Sequence, residues 1–466
     1  MRIFEFDFRM KEVNFLTDGG SRIVSIPDVR ATRLNNAREI RVYLPPGYDR
    51  DPSKRYPAVY MHVGQHAFES RKRSGESWNM HKVLDRLIGE ERIEGVLLVA
   101  VDHVAEEGAS EFFHDSCVHP IRCLGEAYEH FLIHELKPLI DRTFRTKPEP
   151  EHTALIGASA AGISAYTIGL RNPGIFGKIA ALSPYFVHVD PLTLEEKRQY
   201  RPYPIAPGQQ VWIDIGGAEG FFMPRHVRQV AVEWLEAGIG QGERFHFYHE
   251  PEAAHSETDW GGRAHLPLIR FFGKKGEPVR AALYGPDTVG IEGAAECLNA
   301  VVELSNGLAF SDLRGTYEVD RPDVLEVKPD GTIVPKAPGA ATIRYRNGKA
   351  EAWRECRVVE RLDPYVHADI EIEVPESTPP DSRIYATFEV PKIRDTLYGG
   401  RVRLPRGFNL RFMITRGYGR DEADAGFRPA PLRRLSAFSD CKVRFKVDNW
   451  MDLMPGAERG KGEAGW

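Results

Sequence analysis

The sequence predicts an α/β domain built on a largely parallel sheet, followed by two small all-β sandwich units. Three observations point there. Up to about residue 274, continuous apolar runs alternate with amphipathic stretches of helical period, the pattern of βαβ units. Beyond it the helical period almost disappears, and short alternating runs bounded by glycine and proline take over. The 466 residues, at about 150 per domain, leave room for two to four such units.

Taken in order, the strand candidates are 38–44, 58–62, 95–101, 153–157, 179–183, 210–215 and 244–250. Runs such as GVLLVAV show no polar alternation, as expected of strands covered by helices on both faces. Between them, 126–144 sets Ala127, Phe131, Ile133, Leu136 and Ile140 near one stripe of a helix, and 224–237 ends at Gly238, a good left-handed stop. The α/β domain is assigned to 1–275. The first all-β unit covers 278–360, with TYEVD and VLEVKPDGTIVPKAPGAATIRYRNG; the second covers 361–454, with HADIEIEV, GGRVRLPRGFNLRFMITRG and CKVRFKVDNW. Residues 455–466 are rich in glycine and charge and read as a flexible tail.

The formal charge of 62 − 67 = −5 gives no general attraction to nucleic acid or to an anionic membrane. Nothing approaches the roughly 18 apolar residues of a membrane span, and charges interrupt the N-terminal MRIFEFDFRMKEVNF where a secretory signal would need an apolar core. The expected partner is therefore a small molecule, without nucleic acid or membrane. The expected location is cytoplasmic, or secreted if a signal has been removed. Five scattered cysteines without CxxC spacing predict neither a disulfide framework nor structural zinc, and fit a reducing compartment. His62, Asp102, His103, His114 and His119 match no metal-ligand spacing, so no metal or other cofactor is expected.

The chemistry is carried by HTALIGASAAGISAYTIGL, residues 152–170. An apolar strand runs into Gly157-Ala158-Ser159-Ala160-Ala161-Gly162 and then into a helix. A serine among tiny residues can occupy a tight strand-to-helix turn that lifts its Oγ above the sheet. A plain helix cap at Ser159 is the competing reading. Chain order separates the two, because a serine hydrolase of this topology needs an acid after a later strand and a histidine after the next. VWIDIG runs into Gly216-Gly217-Ala218-Glu219-Gly220, and RFHFYHE runs into Pro251-Glu252-Ala253-Ala254-His255. The 36 residues from Glu219 to His255 hold one helix and one strand, as one further αβ unit requires. Asp214, inside its strand, is the second candidate acid, and Asp259 is expected to help start the next helix. Ala160 should supply one oxyanion N–H, and the loop Val63-Gly64-Gln65-His66 the other. Among aromatics in predicted loops, Trp78, Tyr185 and Phe221 are the candidate substrate contacts, with Phe68, Phe112, Phe113, Phe186 and Phe222 similarly placed.

LPPGYDRDPSKRYPAVYMHVGQHAFES, ELKPLIDRTFRTKPEPEHTALIGASAAGISAYTIGL, VWIDIGGAEG and AHSETDWGGRAHLPLIRFF together resemble an esterase branch of the α/β-hydrolases. That branch includes enterochelin esterases, feruloyl and acetyl-xylan esterases, S-formylglutathione hydrolases and mycolyltransferases. The resemblance spans about residues 35–274. It implies an α/β-hydrolase fold, nucleophile Ser159, acid Glu219, base His255 and oxyanion amides at Gln65 and Ala160. The chain departs from the branch at Val63, where aspartate is frequent, and at Ala160 and Ala161, where methionine and glycine are. Residues 278–360 are similar to bacterial immunoglobulin-like domains through a strand, a DG turn, a strand and PGxATI. Residues 365–453 resemble starch-binding-type carbohydrate modules, with Tyr398, Tyr418 and Phe427 as the available aromatics and Trp450 expected inside the sandwich. The expected activity is that of a serine carboxylesterase on an acylated carbohydrate or other small ester. A siderophore-ester hydrolase is the alternative, because GQHAFES is similar to the enterochelin-esterase loop. The alternative of a different class is a catalytically silent carbohydrate-binding or scaffolding protein.

Overall fold

In the computed structural model, residues 11–16, 20–69, 75–104, 107–114, 122–189, 195–417 and 419–454 are described. The described residues open on antiparallel strands β1 (Lys11–Leu16), β2 (Arg22–Ala31) and β3 (Asn36–Leu44). Neither β1 nor β2 was expected from periodicity. In β2 the register shifts between Ile26 and Val29, around Asp28 at φ 55°, and this bulge breaks the alternation of Val24, Ile26 and Val29.

The parallel part comprises β4 (Ala58–His62), β5 (Leu97–Val101), β6 (Thr153–Ala158) and β7 (Lys178–Leu182). After a short hairpin of β8 (Val187–Val189) and β9 (Glu196–Arg198) come β10 (Gln210–Gly216) and β11 (Phe245–Glu250). The sheet order is β1-β2-β3-β5-β4-β6-β7-β10-β11, parallel from β5 onward. Chain order crosses over at β5-β4-β6, so the loops after β4 and β6 meet at the carboxyl edge, where α/β sheets place their sites.

The helices are α1 (Met80–Gly89), α2 (Gly125–His130), α3 (Lys137–Thr143), α4 (Ser159–Arg171), α5 (Phe222–Glu236), α6 (Glu257–Arg263) and α7 (His265–Phe272). The single helix expected over 126–144 is interrupted by a π-helical turn, Phe131–Leu136. Pro138 sits just beyond it and cannot donate to the carbonyl of residue 134, so the ladder widens there. Strand residues alternate between two cores. Val59, Met61, Leu98 and Ile156 pack with Leu84 of α1 and Leu268 of α7, whereas Tyr60, Leu97, Val99 and Leu155 pack with Leu136, Ile140 and Ile168 on the other face. That is why these strands read as unbroken apolar runs.

Two all-β parts follow, each with its own core. Strands Pro278–Tyr284, Asn299–Leu304 and Ala309–Ser311 form one sheet, facing a second built from Thr288–Glu292, Ala350–Arg361, Gly339–Asn347 and Thr316–Val319. Leu283, Val302, Ile343 and Tyr345 are shared between them. This part rests on the edge of the α/β sheet: Asn299 Nδ2 donates to the His249 carbonyl at 2.8 Å, and the Phe310 ring meets the His246 ring edge-on at 5.3 Å. In the last part Tyr365–Glu373, Leu397–Pro405, Cys441–Lys446 and Lys392–Arg394 form a sheet over a core that includes Trp450. Trp450 is fully buried, as expected, and its Nε1 donates to Thr378 Oγ1 at 2.9 Å.

Two expectations change. Tyr398 is 1% exposed, with its hydroxyl donating to the Ser382 carbonyl, so it is core and not a sugar platform. Tyr418 and the tail 455–466 lie outside the described residues, while Phe427 is half-buried. Cys123 is disulfide-bonded, where scattered free thiols were expected; Cys297, Cys356 and Cys441 are free.

Candidate active site

The site begins at the end of β6. Ala158 is still extended, Ser159 turns to φ 56°, and α4 starts at once. A left-handed non-glycine residue is costly and has to be held by its surroundings. Here the surroundings require small residues: a Cβ on Gly157 would lie 2.3 Å from the Ala161 carbonyl oxygen, and one on Gly162 would lie 3.0 Å from that of Leu182. The turn therefore presents the hydroxyl at the head of α4, where the amide of Ala160 belongs to the unpaired first turn.

Beside it, the loop after β4 is equally constrained. Val63, a β-branched residue, is held at φ 56°, and Gly64 begins the 3₁₀ turn Gly64–His66. A Cβ on Gly64 would lie 2.5 Å from backbone atoms of Ala100 and Val101, so only glycine fits. Arg41 reaches across from β3, donating to the Gly64 carbonyl at 2.5 Å while standing 3.4 Å from Asp102. The Gln65 side chain is tied down as well, with its Oε1 accepting from the His103 amide at 3.2 Å. Beneath the elbow, His62 shares a 2.8 Å hydrogen bond with the Tyr128 hydroxyl. Burial pushes the His62 pKa down to about 3, so the ring is neutral there.

The acid and base come from the loops after β10 and β11. His255 Nδ1 donates to Glu219 Oε2 at 2.8 Å, and Ser159 Oγ donates to His255 Nε2 at 2.9 Å. The carboxylate can only accept, and this fixes the imidazole tautomer. Two glycines allow these loops to touch: a Cβ on Gly216 would lie 2.2 Å from the Ala253 carbonyl oxygen, and one on Gly217 would lie 2.4 Å from that of Pro251. The ring of Trp260 meets His255 edge-on at 4.8 Å.

Glu219 is buried within a polar cluster. Its Oε1 accepts from Ser183 Oγ at 2.6 Å and from the Gly216 amide at 2.8 Å, and Arg263 Nη2 lies 3.4 Å away. Asp214, the other candidate acid, turns away to Trp212 Nε1 at 2.8 Å and Arg263 Nε at 3.0 Å. Burial raises the Glu219 pKa, but the charges of His255 and Arg263, with hydrogen bonds from His255 and Ser183, outweigh it and hold the group below the usual carboxylate range. Burial dominates at Asp214 and raises it, with Arg263 and Trp212 opposing. The site thus supplies a hydroxyl, a base and an ionised orienting acid in one line.

Of the expected substrate contacts, Tyr185 and Phe221 are half-buried near the site, with the Tyr185 amide bonded to the Ser159 carbonyl at 3.2 Å. Trp78 is a correction: it is 4% exposed and packs on Trp260 at 5.8 Å, supporting the base loop from behind. Phe68, Phe112, Phe113 and Phe186 are likewise core. Asp259 does start α6, exchanging hydrogen bonds with the cap Ser256. Among the described residues no cluster of three or more His, Cys, Asp or Glu could hold a metal. Sequence reasoning missed Arg263, Ser183 and Arg41. Nothing in the local sequence marks them: Arg263 ends the polar helix Glu257–Arg263, ETDWGGR, and only its burial in the fold shows that its charge must find buried partners.

A parallel sheet with a strand–serine–helix elbow and an ordered serine, acid and histidine defines an α/β-hydrolase. Residues 31–266, just over half of the chain, match the family described as "Putative esterase", and the chain belongs to it. It is a carboxylic ester hydrolase. Over 193 residues it is 24% identical to Uncharacterized protein YbbA of Bacillus subtilis, covering 39% of this chain and 69% of that one. Over 149 residues it is 30% identical to an endo-1,4-beta-xylanase/feruloyl esterase of Xylanibacter ruminicola, covering 30% of this chain and 19% of the relative. A solved ferulic acid esterase of Anaeromyces mucronatus superposes with TM-score 0.42 at 17% identity, covering 58% of this chain and 93% of that one. The enterobactin esterase of Shigella flexneri gives TM-score 0.40 at 17% identity, covering 53% and 58%.

Proposed function

We propose that the protein is a serine carboxylesterase working through an acyl-enzyme on Ser159. The observation that carries this is the unbroken hydrogen-bond line from Glu219 through His255 to Ser159, at 2.8 and 2.9 Å. His255 Nε2 takes the hydroxyl proton as Ser159 Oγ bonds to the ester carbonyl carbon, and Glu219 stabilises the imidazolium. The oxyanion is held by the amides of Ala160 and Gln65, which the elbow and the rigid β4 loop preorganise. His255 then returns the proton to the departing alcohol. Water, deprotonated by the same imidazole, releases the acid and restores the serine.

The substrate in this proposal is an acylated carbohydrate or a similar small ester. Support comes from the 30% identical relative, whose name couples feruloyl esterase to xylanase. The separate cores of the two C-terminal β parts support the division at about residues 275 and 360. The test is turnover of short-chain p-nitrophenyl esters by the full chain. Ser159→Ala is expected to lose at least about 10³-fold in kcat. Unchanged turnover in that variant overturns the mechanism. Feruloyl or acetyl sugars compared with a catecholate trilactone then decide the substrate, and faster cleavage of the trilactone contradicts the carbohydrate reading.

A further inference from the structure

The last β part does more than follow the hydrolase in the chain. Its strand Phe408–Phe412 pairs antiparallel with Arg433–Ala437 along one edge. Alternate residues of a strand turn their N–H and C=O to opposite edges, so Asn409 and Arg411 face away from that partner. What they face is the turn that carries Glu219. The Gly220 amide donates to the Asn409 carbonyl at 2.8 Å, and the Arg411 amide donates to the Ala218 carbonyl at 3.0 Å, so Glu219 stands opposite Leu410 as in an antiparallel ladder. Asn409 Nδ2 adds a bond to the Gly217 carbonyl at 2.9 Å. The acid turn is, in effect, one more rung of the C-terminal sheet.

The same strand reaches the base loop. Arg411 Nη1 lies 3.0 Å from Asp259 Oδ1 and 3.3 Å from the Glu252 carbonyl oxygen, so it spans the segment that contains His255. Arg434, on the paired strand, bonds to the Glu252 carboxylate and at 3.2 Å to Asn409 Oδ1. Two loops that must hold a carboxylate and an imidazole in line are thus fastened to a common support outside the α/β domain. The acid turn's own composition gives it little rigidity, since three of the five residues in Gly216–Gly220 are glycine.

We propose that the strand Phe408–Phe412 is a positioning element of the active site, with Asn409 and Arg411 as positioning residues that hold Glu219 and His255 in register with Ser159. This rests on the serine-esterase reading above. It gives the C-terminal part a role in the chemical step, whether or not that part also binds sugar.

The test uses the full chain and p-nitrophenyl acetate. The double variant Asn409→Ala/Arg411→Ala removes the side-chain ties and leaves Ser159, Glu219 and His255 in place. Since a misplacement of 1 Å can cost on the order of 100-fold, a loss of about 10-fold or more in kcat is expected, with KM within about twofold. Arg411→Lys, which keeps the charge toward Asp259, is expected to recover part of the loss measured for Arg411→Ala. An unchanged kcat in a folded double variant overturns the proposal, and so does a loss that merely tracks the fraction unfolded and is not recovered by lysine. If the double variant does not fold, Arg411→Ala alone is read by the same criteria. Failure of the esterase reading is separate: it shows as wild-type turnover that Ser159→Ala does not change.

Discussion

Ser159 and the loop beside it are held by near neighbours, whereas Glu219 and His255 are held from far along the chain. The elbow depends on Gly157, Ala161 and Gly162, all within three residues of the serine, and the β4 loop on Gly64 and on Arg41 of β3, which reaches over β5 from 23 residues back in the chain. The acid depends on Ser183 and Arg263, and its turn on Asn409 and Arg411, about 190 residues away. A nucleophile turn needs strain that only local sterics can impose. An acid–base pair needs two loops fixed relative to each other, and any well-placed neighbour can do that.

Substitutions on each side separate the two kinds of support. Arg263→Leu leaves Asp214 buried without its counter-charge and Glu219 with His255 alone, which is expected to cost about 3–5 kcal/mol of stability. Thermal unfolding of the purified variant measures this, and a wild-type Tm would show that the cluster is not held by that charge. Arg41→Ala releases the Gly64 carbonyl, the face of Phe68 and one buried carboxylate, Asp102, against the two that Arg263 serves. It is expected to lower kcat by roughly 10-fold, less than the loss of a whole oxyanion donor, with a much smaller change in Tm. If instead Arg41→Ala unfolds the protein and Arg263→Leu only slows it, the assignment of local and distant support is reversed.

A smaller effect concerns pH. Burial pushes the pKa of His62 and His246 down to about 3 and that of His249 to about 4. Each folded pKa lies below the unfolded value of about 6.5, so between these values the unfolded chain binds the extra proton and folding opposes it. Stability is then unaffected by these groups above about pH 6.5, and falls by roughly 1.4 kcal/mol per pH unit per histidine as the pH drops below it. Two of the three, His246 and His249, lie on β11, which carries the base loop. Replacing His246 with Gln is expected to flatten the fall in Tm between pH 6.5 and 4.5, and an unchanged slope would remove it from the account.

The legibility of the sequence follows the same division. Parallel strands buried on both faces leave continuous apolar runs, so β4 to β7, β10 and β11 were readable to within two residues, while the bulged β2 was not. Ser159, Glu219 and His255 were readable because chain order and glycine-rich turns constrain where such residues can stand. The docking of Asn409 and Arg411 was not. Its main contacts are backbone hydrogen bonds between remote segments, and these carry no residue-type signature. Trp78 was misread for a related reason: a tryptophan after a strand looks the same in sequence whether it lines a cleft or, as here, supports Trp260 behind the base.

In the proposed mechanism Ser159 is a nucleophile activated by His255 and Glu219. Labelling the full chain with a fluorophosphonate, followed by peptide mapping, tests this. One stoichiometric adduct is expected, located on Ser159 and absent in Ser159→Ala. An unlabelled wild-type chain that still hydrolyses esters, or an adduct on another residue, would contradict it.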